Sequence, residues 1–218
     1  MAARKTGQTP LTRGRIVEAA MRVVDTEGLE ALSMRRLGSE LNVDPSSIYY
    51  HVPNKSALYE LVVDAVMSDM DLSTDDPTAP TNERLMIGVL AFGDALLAHP
   101  QAIPLVASRP LMTPDSLRPG EHLLGVLHDG GVDYVSALMA INAIAYYVMG
   151  ATLAYANRLL QSEYSEDFDI SRIEALSNSE FPHLKAAIAA AAPNIDFTEE
   201  FRTGAEALVT GLLASRVC

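Results

Sequence analysis

Cysteine occurs once in this chain, as the last residue Cys218, and tryptophan does not occur at all. A lone thiol excludes an intramolecular disulfide, so packing alone has to hold the fold, and a reducing cytoplasm is the natural setting. No basic-then-apolar leader opens the sequence, so secretion is not expected. Also missing are a nucleophile with a spaced base, a phosphate-binding glycine loop, a metal-ligand cluster and a cofactor fingerprint. His99, His122, His128 and His183 are scattered, with no acidic partner at a telling spacing. The expectation is a protein that is not an enzyme and takes no cofactor and no metal.

Positive charge is scarce too, with 16 Lys and Arg against 28 Asp and Glu and a formal net charge of −12. Spread evenly, that balance would exclude a nucleic-acid partner. It is not spread evenly: residues 1–55 hold eight Lys and Arg against six acids, leaving eight against twenty-two for the rest. An acidic body repels phosphate and orients the basic end towards it. What the chain does have is helix-forming material, with 49% hydrophobic residues and abundant Ala and Leu. Its 218 residues can bury a real core.

The stretch from Ser33 to Lys55, SMRRLGSELNVDPSSIYYHVPNK, carries the functional signal. Ser33 can cap a helix over Met34 to Leu41, with Leu37 and Leu41 four apart on one buried face. Asn42, Val43 and Asp44 make a turn, and Asp44 followed by Pro45 starts a second helix that runs to about His51. Two short helices joined by three residues are a helix-turn-helix. With Ile48 facing inward, the second helix presents Ser46, Ser47, Tyr49, Tyr50 and His51, a polar and aromatic face suited to base edges and phosphates.

These runs, LSMRRLGSELNV and IYYHVPNKSAL, resemble the TetR (tetracycline-repressor-type) transcriptional regulators. The matching positions are Leu32, Ser33, Arg35, Leu41 to Val43, Tyr49, His51 and Lys55, and fainter likeness continues through His99–Pro110 and Phe201–Leu213. The resemblance implies an all-α protein in which an N-terminal three-helix helix-turn-helix domain joins a larger helical ligand-binding and dimerisation domain. It places phosphate contacts at His51 and Lys55, and backbone or groove-edge contacts at Ser33 and Arg35. The phenol of Tyr49 would meet a phosphate or a thymine methyl, while Arg36 could as easily be solvated. The family's founding member has glutamine, proline and threonine where this chain has Pro45, Ser46 and Ser47, so the operator must differ. Its metal-coordinating histidine is matched by Leu105 and a drug-contacting histidine by Asp71, so a magnesium–tetracycline ligand does not carry over.

The rest of the chain reads as helices. Residues 1–11 form a basic arm with Arg4 and Lys5, which either aids solubility or touches phosphate or the minor groove. Thr12 caps the first helix and Gly28 stops it. Asn54 caps a longer helix to about Met70, the natural lever between head and body. Asp71–Thr81 reads as a surface loop, Asn82–Ala98 as a helix, and Pro110, Pro114 and Pro119 punctuate a short irregular region. A further helix spans about Asp115 to His128. No charge occurs from Tyr134 to Asn157, a span of 24 residues. Length alone would admit a membrane helix, but Asn142, Tyr146, Tyr147, Gly150 and Thr152 lie in its middle, and a helix covered partly by its own domain and partly by a second subunit is the commoner explanation. Gln161–Ser179 reads as an acidic loop, and Asp196 with Glu199 as a capping-box start for a last helix that ends near Arg216.

The expected organisation is therefore a DNA-binding domain over residues 1–70 and an effector-binding and dimerisation domain over 71–218. DNA contacts are expected at Ser33, Arg35, Pro45, Ser46, Ser47, Tyr49, Tyr50, His51 and Lys55. An apolar effector wall is expected from Phe92, Leu96, Leu105, Met112, Met139, Asn142, Tyr146 and Tyr147. The partners are double-stranded operator DNA, a second copy of the chain and a largely apolar small molecule, with no membrane. The leading function is a ligand-responsive repressor. A transcriptional activator, or a small-molecule binder whose helix-turn-helix only packs, is the alternative.

Overall fold

Four successive helices begin where a side-chain oxygen can accept an otherwise free amide. Thr12 accepts from the Arg15 N–H at 3.3 Å, Ser33 from Arg36 at 3.1 Å, Asp44 from Ser46 at 2.8 Å and Asn54 from Ala57 at 2.9 Å. These caps set the starts of α1 (Arg13–Glu27), α2 (Met34–Leu41), α3 (Pro45–Tyr49) and α4 (Lys55–Ser68). Gly28 closes α1 at φ 84°, and Asn42 turns the chain between α2 and α3 in the left-handed region at φ 53°. The computed structural model describes residues 10–160, 173, 175–191 and 196–215. The basic arm with Arg4 and Lys5, most of Gln161–Ser179, Arg216 and Cys218 lie outside the described residues.

The described part is all-α, with ten helices and no strand. The body continues with α5 (Thr81–Ala98), α6 (Ile103–Ser108), α7 (Pro114–Asp129), α8 (Tyr134–Leu160), α9 (Pro182–Ala191) and α10 (Phe197–Ala214). Its centre is α5, whose Leu85, Val89, Phe92 and Leu96 are buried against α7, α8 and α10. Close approach is made possible by Gly204 on α10, where a Cβ would come within 2.2 Å of the Tyr147 hydroxyl of α8. That hydroxyl donates to the Phe201 carbonyl at 2.7 Å.

Three local expectations differ from the structure. The reading helix ends at Tyr49 rather than His51, because Val52 must turn inward to plug the core and Pro53 has no amide to extend the helix. Pro114 and Pro119 were expected to punctuate an irregular stretch, but Pro114 opens α7 and Pro119 lies inside it with its ring buried, so of the two overlapping expectations the helix from about Asp115 is the one that forms. The capping box at Asp196 is not formed, since among the described residues the Asp196 side chain accepts no amide at that end.

Among the described residues one face of α8 is covered and the other is not. Ala137, Ala140, Ile144, Val148 and Ala156 are buried, whereas Tyr134, Val135, Leu138, Met139 and Tyr146 stand exposed at helical spacing.

Candidate nucleic-acid interface

The reading surface is built on a single buried plug. Ile48 is fully buried beneath α3, and a helix of five residues held by that side chain and the Asp44 cap has little choice of rotation. Ser46, Ser47, Tyr49 and Tyr50 are consequently turned outward, with Tyr50 89% exposed. An exposed tyrosine carries apolar area that finds no cover within the chain. The His51 ring meets Tyr50 edge-on at 5.4 Å and is half-buried. Lys55 stands exposed at the start of α4, and Arg35 is exposed on α2.

Two of the expected DNA contacts have structural duties. The Ser33 oxygen is engaged by the Arg36 amide, and Pro45 is half-buried against α2, where a Cβ on Gly38 would lie 3.1 Å from its ring. Arg36, which the sequence left open to solvent, is instead the brace of the head. Its guanidinium donates to both Glu27 oxygens at 2.9 and 3.0 Å from Nε, and to Glu40 at 2.9 Å from Nη2. Arg22 reaches the same Glu40 at 3.4 Å. These hydrogen bonds hold both carboxyls below their usual range and the guanidinium above its own. Two acids of the head are thereby matched by cations, while Arg35 and Lys55 stand exposed.

Head and body meet along α4. Arg109, from the turn after α6, donates to the Ser56 hydroxyl at 3.0 Å and stacks over the Tyr59 ring at 4.9 Å, with the Lys55 ammonium 5.1 Å from the same ring. The Thr113 hydroxyl donates to Asp64. Between these contacts lies a cleft of about 200 Å³ lined by Ser56, Glu60, Asp64, Arg109, Met112 and Thr113. A larger cleft of about 420 Å³ flanks the end of α4, lined by Met67, Met70, Leu72, Arg118, Pro119 and His122.

The eight residues expected to form one effector wall are dispersed. Phe92, Leu96 and Leu105 are buried in the body core, Met112 borders the smaller cleft, and Met139, Asn142 and Tyr146 lie on the exposed face of α8. Tyr147 is half-buried and tied to α10. Helical spacing showed which positions are apolar, but not whether core, cavity or open face receives them. Among the described residues no three His, Cys, Asp or Glu side chains gather in a way that could hold a metal ion.

Sequence reasoning also missed two histidine contacts. The Asp75 carboxylate receives Arg84 at 2.9 and 2.7 Å and the His122 ring at 2.9 Å. His99 lies between Asp25 and Asp69, 3.0 and 2.9 Å away. These partners come from distant parts of the chain, the loop before α5 for Asp75 and the ends of α1 and α4 for Asp25 and Asp69, so no spacing signal announces them.

Residues 16–62 match the family model for bacterial regulatory proteins of the tetR family, and residues 81–216 match the tetracyclin repressor-like C-terminal domain. An HTH-type transcriptional regulator of Saccharopolyspora erythraea is 30% identical over 206 residues, covering 94% of this chain and 86% of that protein. Apo ActR from Streptomyces coelicolor superposes with a TM-score of 0.83 at 28% identity, covering 96% of this chain and 98% of its own. ActR in complex with actinorhodin gives the same TM-score at 27% identity, covering 96% and 100%. With both halves matched in order and the helix-turn-helix in place, the chain belongs to the TetR family of bacterial regulatory proteins.

Proposed function

We propose that this regulator is a ligand-responsive repressor that binds a pseudo-palindromic operator as a homodimer in the cytoplasm and is released by a small, largely apolar effector. The observation that carries the reading is the outward display of Ser46, Ser47, Tyr49 and Tyr50 on a helix whose rotation is locked by Ile48. Residues 1–70 are the DNA-binding part and 71–218 the part that takes the effector and the second subunit. Two reading helices related by a two-fold axis enter successive major grooves when their centres lie about 34 to 36 Å apart. The uncovered stripe of α8 supports the second copy, and the solved complex of ActR with actinorhodin supports an effector. A ligand wedged against α4 from either cleft tilts the helix that begins at Lys55, so effector binding energy is converted into lost operator affinity.

The test is to recover duplexes from random DNA with the full chain at about 0.15 M salt, then compare variants on the recovered site. Lys55→Ala weakens binding to every sequence and lowers the salt slope by roughly one, whereas Tyr49→Ala also changes the preferred site. Full affinity and an unchanged site in both variants would remove these residues from the interface. A second expectation concerns α8. Leu138→Asp sets a charge in the middle of the exposed stripe, and analytical ultracentrifugation then shows a monomer with an intact circular-dichroism spectrum. A Leu138→Asp protein that still sediments as a dimer would move the subunit interface elsewhere.

A further inference from the structure

α5 and the helical segment that follows it meet at 97°, and the residue at the corner is His99. Its ring is a bridge between three parts of the chain. Nδ1 lies 3.0 and 3.1 Å from the two Asp25 oxygens at the end of α1, and Nε2 lies 2.9 Å from Asp69, which caps the end of α4. α1 and α4 belong to the reading head and its lever, while His99 belongs to the body. The ring side chain is 17% exposed, so water has limited access to the joint.

A neutral imidazole has one N–H and one lone pair, and a carboxylate only accepts. Both ring nitrogens face carboxylates here, so both contacts are hydrogen bonds only when the ring is an imidazolium. Among the described residues the charges that act on the ring are the carboxylates of Asp25 and Asp69. Arg22 on α1 is engaged by Glu40, Asp71 and Asp94 line a cleft with Asp69, and the turn Pro100–Ala102, α6 and the stretch of α8 from Tyr134 to Asn157 are uncharged. Burial works against the charged ring, but the two carboxylates together outweigh it and the ring titrates above its ordinary value.

We infer that His99 is a positioning residue, a proton-dependent clasp that ties the ends of α1 and α4 to the body and makes operator affinity depend on pH. The clasp holds the ligand-free arrangement, so the link to DNA rests on the proposed repressor reading, in which that arrangement binds the operator. The sign follows from the raised value. The clasp is complete below the ordinary histidine range and is lost as pH rises through the raised value of the folded chain. Deprotonation leaves one nitrogen with a lone pair against a carboxylate, and the joint opens. Alkalinisation thus acts in the same direction as effector.

The experiment has two arms, both on the full chain. NMR follows the His99 ring through pH in the wild type, Asp25→Asn and Asp69→Asn. The expected result is a midpoint above about 6.5 that falls in each variant. A wild-type midpoint at or below that value overturns the clasp. In the second arm, affinity for the recovered duplex is measured at about pH 6 and about pH 8.5 in the wild type and His99→Gln, so that any titration at the DNA surface, His51 included, appears in both. The wild type is expected to lose roughly five- to tenfold more affinity on alkalinisation than the variant, the size of an ordinary two-state coupling. Equal pH responses overturn the link to DNA. If His99→Gln does not fold, Asp69→Asn, at an exposed carboxylate, replaces it in the second arm. If no duplex is recovered at all, the repressor reading has failed, and the ring titration alone decides the clasp.

Discussion

Gly38→Val reduces operator binding to the level of random DNA while the body stays folded. Gly38 is the point on α2 where the turn and α3 come closest. A Cβ there would lie 3.0 Å from the Val43 carbonyl oxygen and 3.1 Å from the Pro45 ring. Both contacts are tighter than Cβ atoms usually make, so the neighbours must give by a few tenths of an ångström, and the first is with backbone that cannot rotate away. Valine adds two further carbons, so relief has to come from moving α3 as a unit. α3 is held by the Asp44 cap, the Ile48 plug and the Pro45 ring against α2, and shifting it displaces Ser46, Ser47, Tyr49 and Tyr50 together. Specific binding exceeds non-specific binding by roughly a thousandfold or more, and that margin is what the variant loses. Fluorescence anisotropy on the recovered site and a scrambled duplex measures it, with thermal unfolding as the control for the body. Gly38→Ala, with the single methyl, should fall between. A valine variant that keeps full specific affinity would mean that α3 is not the reading element.

Asp75→Asn lowers the stability of the whole chain by about 1 to 2 kcal/mol, less than the roughly 3 to 5 kcal/mol for breaking a fully desolvated pair, because Arg84 keeps the carboxylates of Asp76 and Asp129 nearby. The Asp75 side chain is 5% exposed and Arg84 is 12% exposed, so water replaces only part of what the asparagine fails to supply. Arg84 is the main cause of the lowered Asp75 titration, with burial opposing it and His122 adding a smaller pull. Because the folded carboxyl titrates below its ordinary value, its contribution is present above about pH 4 and is lost as pH falls through that lowered value. Urea midpoints at neutral and acid pH test both statements. The variant is expected to unfold at lower denaturant near neutrality and to lack part of the wild-type acid destabilisation. His122→Gln removes the more exposed partner and costs less. Equal midpoints for wild type and Asp75→Asn at neutral pH would show that the pair contributes nothing.

Much of the head was legible because its signals are local. A capping oxygen and the amide it receives are two or three residues apart, and a buried stripe repeats every three or four, so Thr12, Ser33, Asp44 and Asn54 mark their helix starts in the sequence itself. The inward turn of Ile48 followed from the same period. The end of the reading helix was less legible, since Val52 leaves the helix to fill space below it, and that space is made by other elements. Pro119 was misleading for a related reason: as the sixth residue of α7 it forgoes an amide bond to the preceding turn, and only the burial of its ring against other elements offsets that loss.

The effector wall shows where one-dimensional reading stops. Phe92, Leu96 and Leu105 share their apolar character with Met139 and Tyr146, but the first three are buried in the core and the last two face outward from α8. Hydropathy records a preference for leaving water and not which surface provides the cover.

By itself, the sequence determined the all-α class, the helix starts, the helix-turn-helix with its outward tyrosines, and the charge split between head and body. Each depends on residues within a turn or two of one another, or on composition summed along the chain. Only the tertiary structure decided that Arg36 braces two acids, that Asp75 sits between Arg84 and His122, and that His99 joins Asp25 to Asp69. The histidine contacts span 74 positions to Asp25, 30 to Asp69 and 47 from His122 to Asp75. At such separations a charge pair leaves no periodic trace, because its geometry is set by how the helices cross and not by the residues in between.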